Sequence, residues 1–203
     1  MRQKLANRTL VLAAVAGFML SPALNLYFVL NSPIQKSSAS PTANISAINK
    51  QSNIDIGLPV SLEIPKLKVD ASLDYVGITS RGEMGIPASP AKAAWYDQGP
   101  RPGQTGNAVI DGHFGYRNHI PAVFDNLSSL QKGDKLYVKD IKGLTTTFVV
   151  SSLRTYDPGA DAATVFRSSD GKAHLNLITC EGTWNQAQKS YSNRLVVFAD
   201  KKT

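Results

Sequence analysis

The chain contains a single cysteine, Cys180, within the stretch HLNLITCEG that runs from His174 to Gly182. A thiolate is a strong nucleophile, but a free thiol with a pKa of about 8.5 is only a few per cent ionised at neutral pH. A catalytic thiol therefore needs a partner, whereas a structural thiol is commonly buried in the core. The apolar run ends at Cys180 and a glutamate and a glycine follow. This pattern predicts that the thiol lies where a strand gives way to a loop.

Among the three histidines, His113 is the best candidate for the base that works with this thiol. His174 lies six residues before Cys180 on the same predicted strand, and at about 3.3 Å per residue an extended strand would hold them roughly 20 Å apart. His119 lies in a polar turn before a proline and is interpreted as a loop residue. His113 ends the strand-like run NAVIDGH, so a second strand would present its imidazole at a similar strand end.

Arg194 is the candidate for stabilising the negative charge that develops on a carbonyl oxygen when a thiolate attacks its carbon. It opens the run RLVVFA, 14 residues after Cys180. If HLNLITC and RLVVFA pair as antiparallel strands, the end of the first lies beside the start of the second, and Arg194 lies next to the thiol. The alternative is a solvated arginine at a strand end. Thr179, beside the cysteine, offers a hydroxyl to a neighbouring backbone group or side chain.

The charge distribution and the residue types argue against several other classes of function. The net charge is +7, but four basic residues and no acid lie in positions 1–36, which leaves +3 for the rest. No basic run is interleaved with aromatic residues, so nucleic acid is not an expected partner. One cysteine permits neither an internal disulfide nor a cysteine cluster, and the histidines lack the spacing of a zinc motif. We expect no metal and no other cofactor, since the separated Asp111, Asp125 and Glu181 do not mark a calcium site.

Residues 9–30 form an uncharged, largely apolar segment that follows three basic residues. As a helix these 22 residues would span about 33 Å, which is enough to cross the hydrocarbon core of a bilayer. The basic flank, with no acid before Asp55, predicts a cytoplasmic N-terminus and an exported remainder. The alternative is a signal peptide cleaved after Ala23, because Pro22 and Asn25 interrupt the apolar run.

The predicted organisation has four parts: a cytoplasmic N-terminus (1–8), a transmembrane signal-anchor (9–30), a flexible stalk (31–55) and a folded domain (56–203). The stalk is rich in Ser, Ala, Asn, Thr and Pro and has no strong periodicity. We therefore expect a single-pass protein of the cell membrane whose folded domain lies outside the cytoplasm.

From residue 56 onward, short runs of β-branched and aromatic residues alternate with Gly, Pro, Asn and Asp, which is typical of strands and turns. Helical signals are short and lie near 91–96, 121–130 and 161–167. Many short strands with little room for crossover helices predict an all-β domain built as a closed or nearly closed barrel. The predicted strands are 60–64, 69–78, 107–113, 135–140, 145–156, 174–180 and 194–199.

Three motifs resemble, in this order along the chain, the catalytic signatures of the sortases: Gly112-His113, Leu177-Ile178-Thr179-Cys180 and Asn193-Arg194-Leu195-Val196-Val197. The resemblance covers roughly residues 56–201 and includes IPKLKVDA, WYDQGPRPGQTGNAVIDGH and VFDNLSSLQKGDKLYV. The GPRPG segment before the histidine is most similar to class F, with class E next. The family commonly has Thr-Leu-x-Thr-Cys, whereas Asn176 occupies the first position here. By strand alternation Asn176 faces the same way as Cys180, so we expect altered hydrogen bonding near the nucleophile without loss of activity.

The resemblance implies an eight-stranded sortase-type β-barrel and a cysteine transpeptidase. Such enzymes cut an LPxTG-type sorting signal between Thr and Gly and form a thioacyl-enzyme. They then transfer the acyl group to an amine of a peptidoglycan precursor or to a pilin lysine. On this basis Cys180 is the nucleophile, His113 the acid and base, and Arg194 the group that positions substrate and stabilises the oxyanion. Ile178 and Thr179 are expected to contact the substrate or support the site.

Two other interpretations stay open at the level of sequence. One is another exported cysteine enzyme of the L,D-transpeptidase type, whose Ser-x-Gly-Cys-x-Arg arrangement this chain lacks. The other is a non-enzymatic, membrane-tethered barrel that binds wall components or peptides. That second interpretation requires a buried and unreactive Cys180.

Overall fold

The computed structural model describes residues 55–115 and 120–203. The predicted transmembrane segment, the alternative cleavage site and all but the last residue of the predicted stalk lie outside these residues, as does His119. Within the described part, no helix has the length and apolar character needed to cross a bilayer.

In the described residues the regular structure consists of eight strands, one α-helix and two 3-10 turns. The helix, α1 (Ala163–Phe166), lies between the sixth and seventh strands, and the 3-10 turns are Pro65–Leu67 and Leu127–Ser129. The strands are β1 (Pro59–Ile64), β2 (Val69–Val76), β3 (Ala93–Tyr96), β4 (Gly106–Gly112), β5 (Lys135–Asp140), β6 (Thr145–Tyr156), β7 (Ala173–Asn185) and β8 (Ser190–Lys201).

The eight strands close into a barrel in the order β1-β2-β3-β4-β7-β8-β6-β5, and β5 pairs with β1 to complete it. The β2–β3 and β4–β7 pairs are parallel, and the other pairs are antiparallel. Closure removes the unpaired sheet edges that an open sheet would expose. The prediction of an all-β, closed, eight-stranded barrel is confirmed.

Alternation along each strand separates an apolar interior from an outer face. On β7, Leu175 and Leu177 are fully buried in the interior cluster, while Asn176 and Cys180 occupy outer positions. Phe124, from the segment before β5, is also fully buried in this interior. Burying a large apolar side chain contributes about 1.5–3 kcal/mol, so the interior holds in place the strands that carry the candidate site.

The prediction of a helical segment near 91–96 is wrong, because this segment contains β3. The first three residues of β3 are buried, and the strand pairs with β2 on one side and β4 on the other. A strand that is covered on both faces shows no polar alternation, so its short apolar run cannot be distinguished from a buried helical turn. Of the other two helical signals, 161–167 contains α1, whereas 121–130 contains only a 3-10 turn.

The hairpin of β7 and β8 is longer than the sequence predicted. β7 continues five residues past Cys180, and β8 begins four residues before Arg194. The apolar pattern stops where the hairpin becomes exposed, but backbone pairing continues because ladder hydrogen bonds require no apolar side chains. Trp184 and Tyr191 pair across this extension, with ring centroids 5.1 Å apart. Both Cys180 and Arg194 therefore lie within strands and not at strand ends.

Candidate active site

Cys180 and Arg194 face each other on neighbouring strands. β7 and β8 pair antiparallel, as the sequence predicted, and the register sets Cys180 directly opposite Arg194. The thiol is half-buried. Because both residues lie within strands, the ladder on each side fixes the separation of their backbones.

His113 directly follows β4, which is the other neighbour of β7. β4 and β7 run parallel with Asp111 paired to Ile178, so His113 follows that pair by two residues, as Cys180 does. His113 Nε2 lies 3.0 Å from the carbonyl oxygen of Pro87. Because a carbonyl oxygen only accepts, Nε2 carries a proton, which leaves Nδ1 as the proton acceptor of the neutral ring.

A buried hydrogen bond joins the nucleophile strand to the histidine strand. Thr179 Oγ1 donates to the carbonyl oxygen of Gly112 at 2.7 Å, so the residue before the thiol holds the residue before the imidazole. A Cβ atom at Gly112 would overlap Phe124 and Val123, so only glycine permits this close approach. Thr179 is 1% exposed and lines neither of the grooves at Cys180. The hydroxyl of Thr179 bonds a neighbouring backbone group, as expected from the sequence, and in this way supports the site.

The guanidinium of Arg194 is held by the residues that precede it. Nη1 donates to the carbonyl oxygens of Tyr191 at 3.2 Å and Asn193 at 3.0 Å, and Nη2 donates to Oγ of Ser190 at 3.1 Å. A guanidinium has five N–H donors, so Nε–H and one Nη2–H lie outside these bonds. The side chain is oriented in advance and still has donors for a ligand.

Two grooves meet at Cys180, His113 and Arg194, and Ile86 lines both. The first groove has a volume of about 380 Å³ and extends toward α1. Ile178 lies in this groove, where the sequence predicted a substrate contact. Apolar side chains form much of its walls: Met84, Ile86, Val165, Phe166, Ile178 and Val196.

The second groove has a volume of about 430 Å³ and extends toward the β7–β8 hairpin. Three aromatic residues line it: Phe114 packs edge-on against Tyr191 at 5.3 Å, and Trp184 packs against the same ring. Aromatic rings pack against apolar groups and attract cations to their faces. The thiol is therefore accessible from one apolar side and from one aromatic side.

Asp111 adds a carboxyl group to the site, since it lines the first groove together with Cys180 and Arg194. Desolvation raises the pKa of Asp111 to about 7, although the positive charge of Arg194 opposes this shift. Burial also raises the pKa of Cys180; Arg194 opposes that shift, and the Asp111 carboxylate adds to it. The thiolate of Cys180 is therefore rarer at neutral pH than that of a free cysteine.

The sequence prediction did not identify Asp111, Ile86 or Trp184 as site residues. For Asp111 one signal was available: it lies two residues before His113 along the chain, and strand alternation gives such positions the same face. Ile86 comes from the connection between β2 and β3, and Trp184 comes from the hairpin extension. No local pattern specifies that these segments reach the thiol.

His174 lies outside both grooves, in agreement with the distance expected along the strand. Its ring nitrogens lie 2.7 Å from Oδ1 of Asp200 and 3.0 Å from Oδ2 of Asp170. Burial lowers the pKa of His174, but the hydrogen bonds and charges of the two carboxylates outweigh burial and raise the pKa overall.

The acidic residues considered for a cation site are engaged separately. Asp125 accepts hydrogen bonds from the backbone N–H groups of Gly115 at 2.7 Å and Ala122 at 3.0 Å. Glu181 accepts one from the hydroxyl of Thr155 at 2.9 Å. Across residues 55–115 and 120–203, no three His, Cys, Asp or Glu side chains are grouped to hold a metal ion.

Asn176 is 1% exposed and lies on the same side of β7 as Cys180, as alternation predicted. Its Nδ2 donates to the carbonyl oxygen of Val165 at 2.6 Å. The altered hydrogen bonding that we expected at the nucleophile is therefore found at α1, beside the first groove.

Comparisons with known proteins identify relatives of this chain. A family model described as "Sortase domain" matches residues 62–202. Sortase A from Corynebacterium diphtheriae superposes with a TM-score of 0.56 at 24% identity, covering 73% of this chain and 62% of that chain. Sortase C-1 from Actinomyces oris superposes with a TM-score of 0.55 at 26% identity, covering 71% of this chain and 75% of that chain. A Clostridium perfringens sortase D5 transpeptidase superposes with a TM-score of 0.54 at 22% identity, covering 72% of this chain and 79% of that chain.

The covered length and the sequence identity decide what each comparison supports. No curated protein matches the chain. The match to the Corynebacterium diphtheriae protein spans less than two thirds of that protein's length. At 24% and 22% identity, the Corynebacterium and Clostridium structures support the fold alone. The family match covers β1 to β8 almost completely and includes every residue of the site described above.

Thr179→Val tests the hydrogen bond between the two site strands. Valine keeps the shape of the side chain but leaves the buried carbonyl oxygen of Gly112 without its donor. A buried acceptor that loses its partner costs about 1–3 kcal/mol, so we expect urea denaturation to show a loss of about that size. Thr179→Ser keeps the hydroxyl, so its free energy of unfolding should fall by less. Equal losses in the two variants would show that the hydroxyl contributes nothing.

Asp111→Asn tests the electrostatic link between Asp111 and the thiol. The carboxylate of Asp111 raises the pKa of Cys180, so its removal should move the pH midpoint of alkylation by iodoacetamide to lower pH. Asp97→Asn, at an exposed position outside both grooves, is the control and should leave the midpoint in place. An unchanged or higher midpoint in Asp111→Asn would contradict the link.

The same variant should change how stability depends on pH. Because the pKa of Asp111 is raised in the folded state, the unfolded state loses this proton first, and stability falls as pH rises from about 4 to about 7. Asp111→Asn lacks this group, so its free energy of unfolding should fall less than that of the wild type over that range. Urea denaturation at several pH values measures the difference.

Proposed function

The chain belongs to the sortase family of cysteine transpeptidases, and we propose that it cleaves an LPxTG-type sorting signal between Thr and Gly and transfers the acyl part to an amine. The observation that carries this proposal is the meeting of two grooves at Cys180, with His113 and Arg194 beside it. Transfer of an acyl group from one partner to another requires a nucleophile that both partners can approach. The two grooves meet that requirement.

In the proposed first step, the thiolate of Cys180 attacks the carbonyl carbon of the Thr–Gly bond. The carbonyl oxygen gains negative charge, and the two N–H groups of Arg194 outside its present hydrogen bonds donate to it. As the C–N bond breaks, the imidazolium form of His113 gives a proton to the leaving glycine amine. The products are a thioester on Cys180 and a peptide with a free amino group.

In the proposed second step, the nitrogen of the incoming amine attacks the thioester carbon. His113, now neutral, accepts the proton that this nitrogen loses. The C–S bond breaks, Cys180 leaves as a thiolate, and an amide joins the two partners. Because the leaving and incoming amines exchange protons with the same imidazole, we infer that both lie on the same side of Cys180.

This mechanism requires the thiolate and the imidazolium to be present together. With ordinary pKa values near 8.5 and 6.5, both forms coexist in less than about 1% of molecules at pH 7. Burial raises the pKa of Cys180, which lowers that fraction further. We infer that turnover passes through this minority form and is slow compared with enzymes that hold a stable thiolate.

We assign the first groove to the sorting signal and the second groove to the amine. The apolar walls of the first groove suit the Leu and Pro side chains of an LPxTG motif. The rings of Trp184 and Tyr191 in the second groove suit the methylene stem of a lysine and attract its ammonium group, which loses a proton to solvent before its nitrogen attacks. These features support a peptidoglycan precursor or a pilin lysine as the acceptor.

We also propose that residues 9–30 anchor the protein in the cell membrane as a single-pass helix. Residues 1–8 would then lie in the cytoplasm, with the stalk 31–55 and the catalytic domain 56–203 outside. The support is the uncharged length of 9–30 and the basic residues before it. Within the family, the GPRPG segment supports membership of class F, with class E next.

Mass spectrometry of the full chain after incubation with an LPxTG peptide tests the proposed reaction. We expect an adduct on Cys180 with the mass of the peptide's acyl part up to threonine. Cys180→Ala should form no adduct and cleave no peptide, and His113→Ala should lose a factor of roughly 10²–10⁴ in rate. His174→Ala, a histidine outside both grooves, should keep the activity. Peptide cleavage by Cys180→Ala at the wild-type rate would refute the proposal.

Trp184→Ala tests the assignment of the second groove. Loss of the ring should reduce aminolysis of the thioester relative to its hydrolysis by several-fold, since exposed cation–π and packing contacts contribute about 0.5–1 kcal/mol. The rate of acyl-enzyme formation should stay the same, and Trp184→Phe should retain most of the transfer. Ile141→Ala, an exposed apolar side chain outside both grooves, is the control. Slower acyl-enzyme formation with an unchanged product ratio would reverse the assignment.

A further inference from the structure

The helix α1 is a single turn that forms part of the wall of the first groove. Its four residues are too few for a stable isolated helix, and at its N-terminus Oδ1 of Asp161 accepts a hydrogen bond from the backbone N–H of Ala163 at 2.8 Å. Val165 is 1% exposed, and Phe166 packs edge-on against Tyr96 with ring centroids 5.6 Å apart. Val165 and Phe166 both line the groove that contains Cys180. The position of this turn therefore shapes the groove.

Two asparagines on the barrel bind the carbonyl groups of this turn. Asn107 Nδ2, on β4, donates to the carbonyl oxygens of Thr164 at 2.9 Å and Val165 at 3.2 Å. Asn176 Nδ2, on β7, donates to the carbonyl oxygen of Val165 at 2.6 Å. The last carbonyl groups of a helix have no partner within the helix. Here two neighbouring strands supply the donors, and the carbonyl of Val165 accepts from both.

We propose that Asn107 and Asn176 are positioning residues that hold Val165 and Phe166 as a preformed wall of the groove for the acyl donor. This role rests on the proposed function, because it assigns the wall to the sorting signal. Asn107 is 6% exposed and Asn176 is 1% exposed, so water competes little for these amides. Asn107 lies on β4, which His113 directly follows, and Asn176 lies on β7, which carries Cys180. The wall and the reacting groups are therefore attached to the same two strands.

Barrel stability alone does not account for the amide of Asn176. Its Oδ1 is buried and has no hydrogen-bond partner in the described part of the chain. An unsatisfied buried acceptor costs stability, whereas an apolar residue of similar shape avoids that cost. What the amide contributes at this position is its Nδ2 donor to Val165. Asn176→Leu therefore separates the two roles, because it removes one donor to α1 and also removes the unsatisfied oxygen.

Hydrogen exchange on the full chain tests the positioning role without any substrate. In Asn176→Leu and Asn107→Leu, we expect the amides of Val165 and Arg167, which close α1, to exchange on the order of tenfold faster. Exchange in β4 and β7 should stay slow, and the midpoint of urea denaturation should change little in Asn176→Leu. Asn126→Leu, at an exposed asparagine with no side-chain capping bond, is the matched control. Unchanged exchange at α1 in both variants would refute the positioning role.

Kinetics with an LPxTG peptide test whether the wall serves the acyl donor. Release of the wall should raise KM several-fold while kcat and the labelling rate of Cys180 by a small thiol reagent stay within about twofold. A lower kcat with an unchanged KM, or faster exchange spread over β4 and β7, would show a general structural role instead. If the wild-type chain formed no acyl-enzyme, the proposed function would fail, and the exchange measurements would still decide the attachment of α1. Asn107→Leu covers the case in which Asn176→Leu does not fold.

Discussion

The pairing of β7 with β4 on one side and β8 on the other is the constraint on which the rest of the site depends. The antiparallel register with β8 sets Cys180 opposite Arg194, and the parallel register with β4 brings His113 alongside. Thr179 adds a buried hydrogen bond to Gly112 across the same parallel pair. Because the barrel is closed, none of these strands can shift without breaking pairing on both of its sides. The trio is therefore assembled by the sheet itself.

Burial holds the side chains of this site in place and at the same time disfavours the ionised forms of Cys180 and Asp111. Desolvation raises the pKa of Cys180, and the nearby Asp111, whose own pKa is raised to about 7, adds to that effect. Arg194 works in the opposite direction for both groups and is itself held by carbonyl oxygens and a serine hydroxyl. The resulting thiol is accessible from two grooves but ionised in few molecules. Such a nucleophile suits a reaction in which bound substrate, and not solvent, meets the thiolate.

Much of the fold and the candidate trio was predictable, because both leave short-range patterns. Alternating strands separated by turn residues predicted the barrel, and the placement of Cys180, His113 and Arg194 at the edges of apolar runs predicted that they meet. The predicted strand assignments were wrong where backbone pairing does not follow from the local pattern of apolar and polar residues. β3 is covered on both faces and lacks alternation, and the hairpin beyond Cys180 pairs through its backbone although its side chains are polar. Thr179 turns inward and bonds the backbone of Gly112, because adjacent strand residues point to opposite faces.

The class of fold and the chemical groups of the candidate site could be read from the chain before any contact was known. Strand periodicity, a single thiol and its spacing from one arginine and one histidine are properties of the chain alone. Three features follow from the folding of distant segments together: Asp111 lines the first groove, Ile86 and Trp184 line grooves at the thiol, and Asn107 and Asn176 hold α1. These contacts join segments that are distant along the chain. Their partners are chosen by barrel closure, and no local pattern encodes which strands close it.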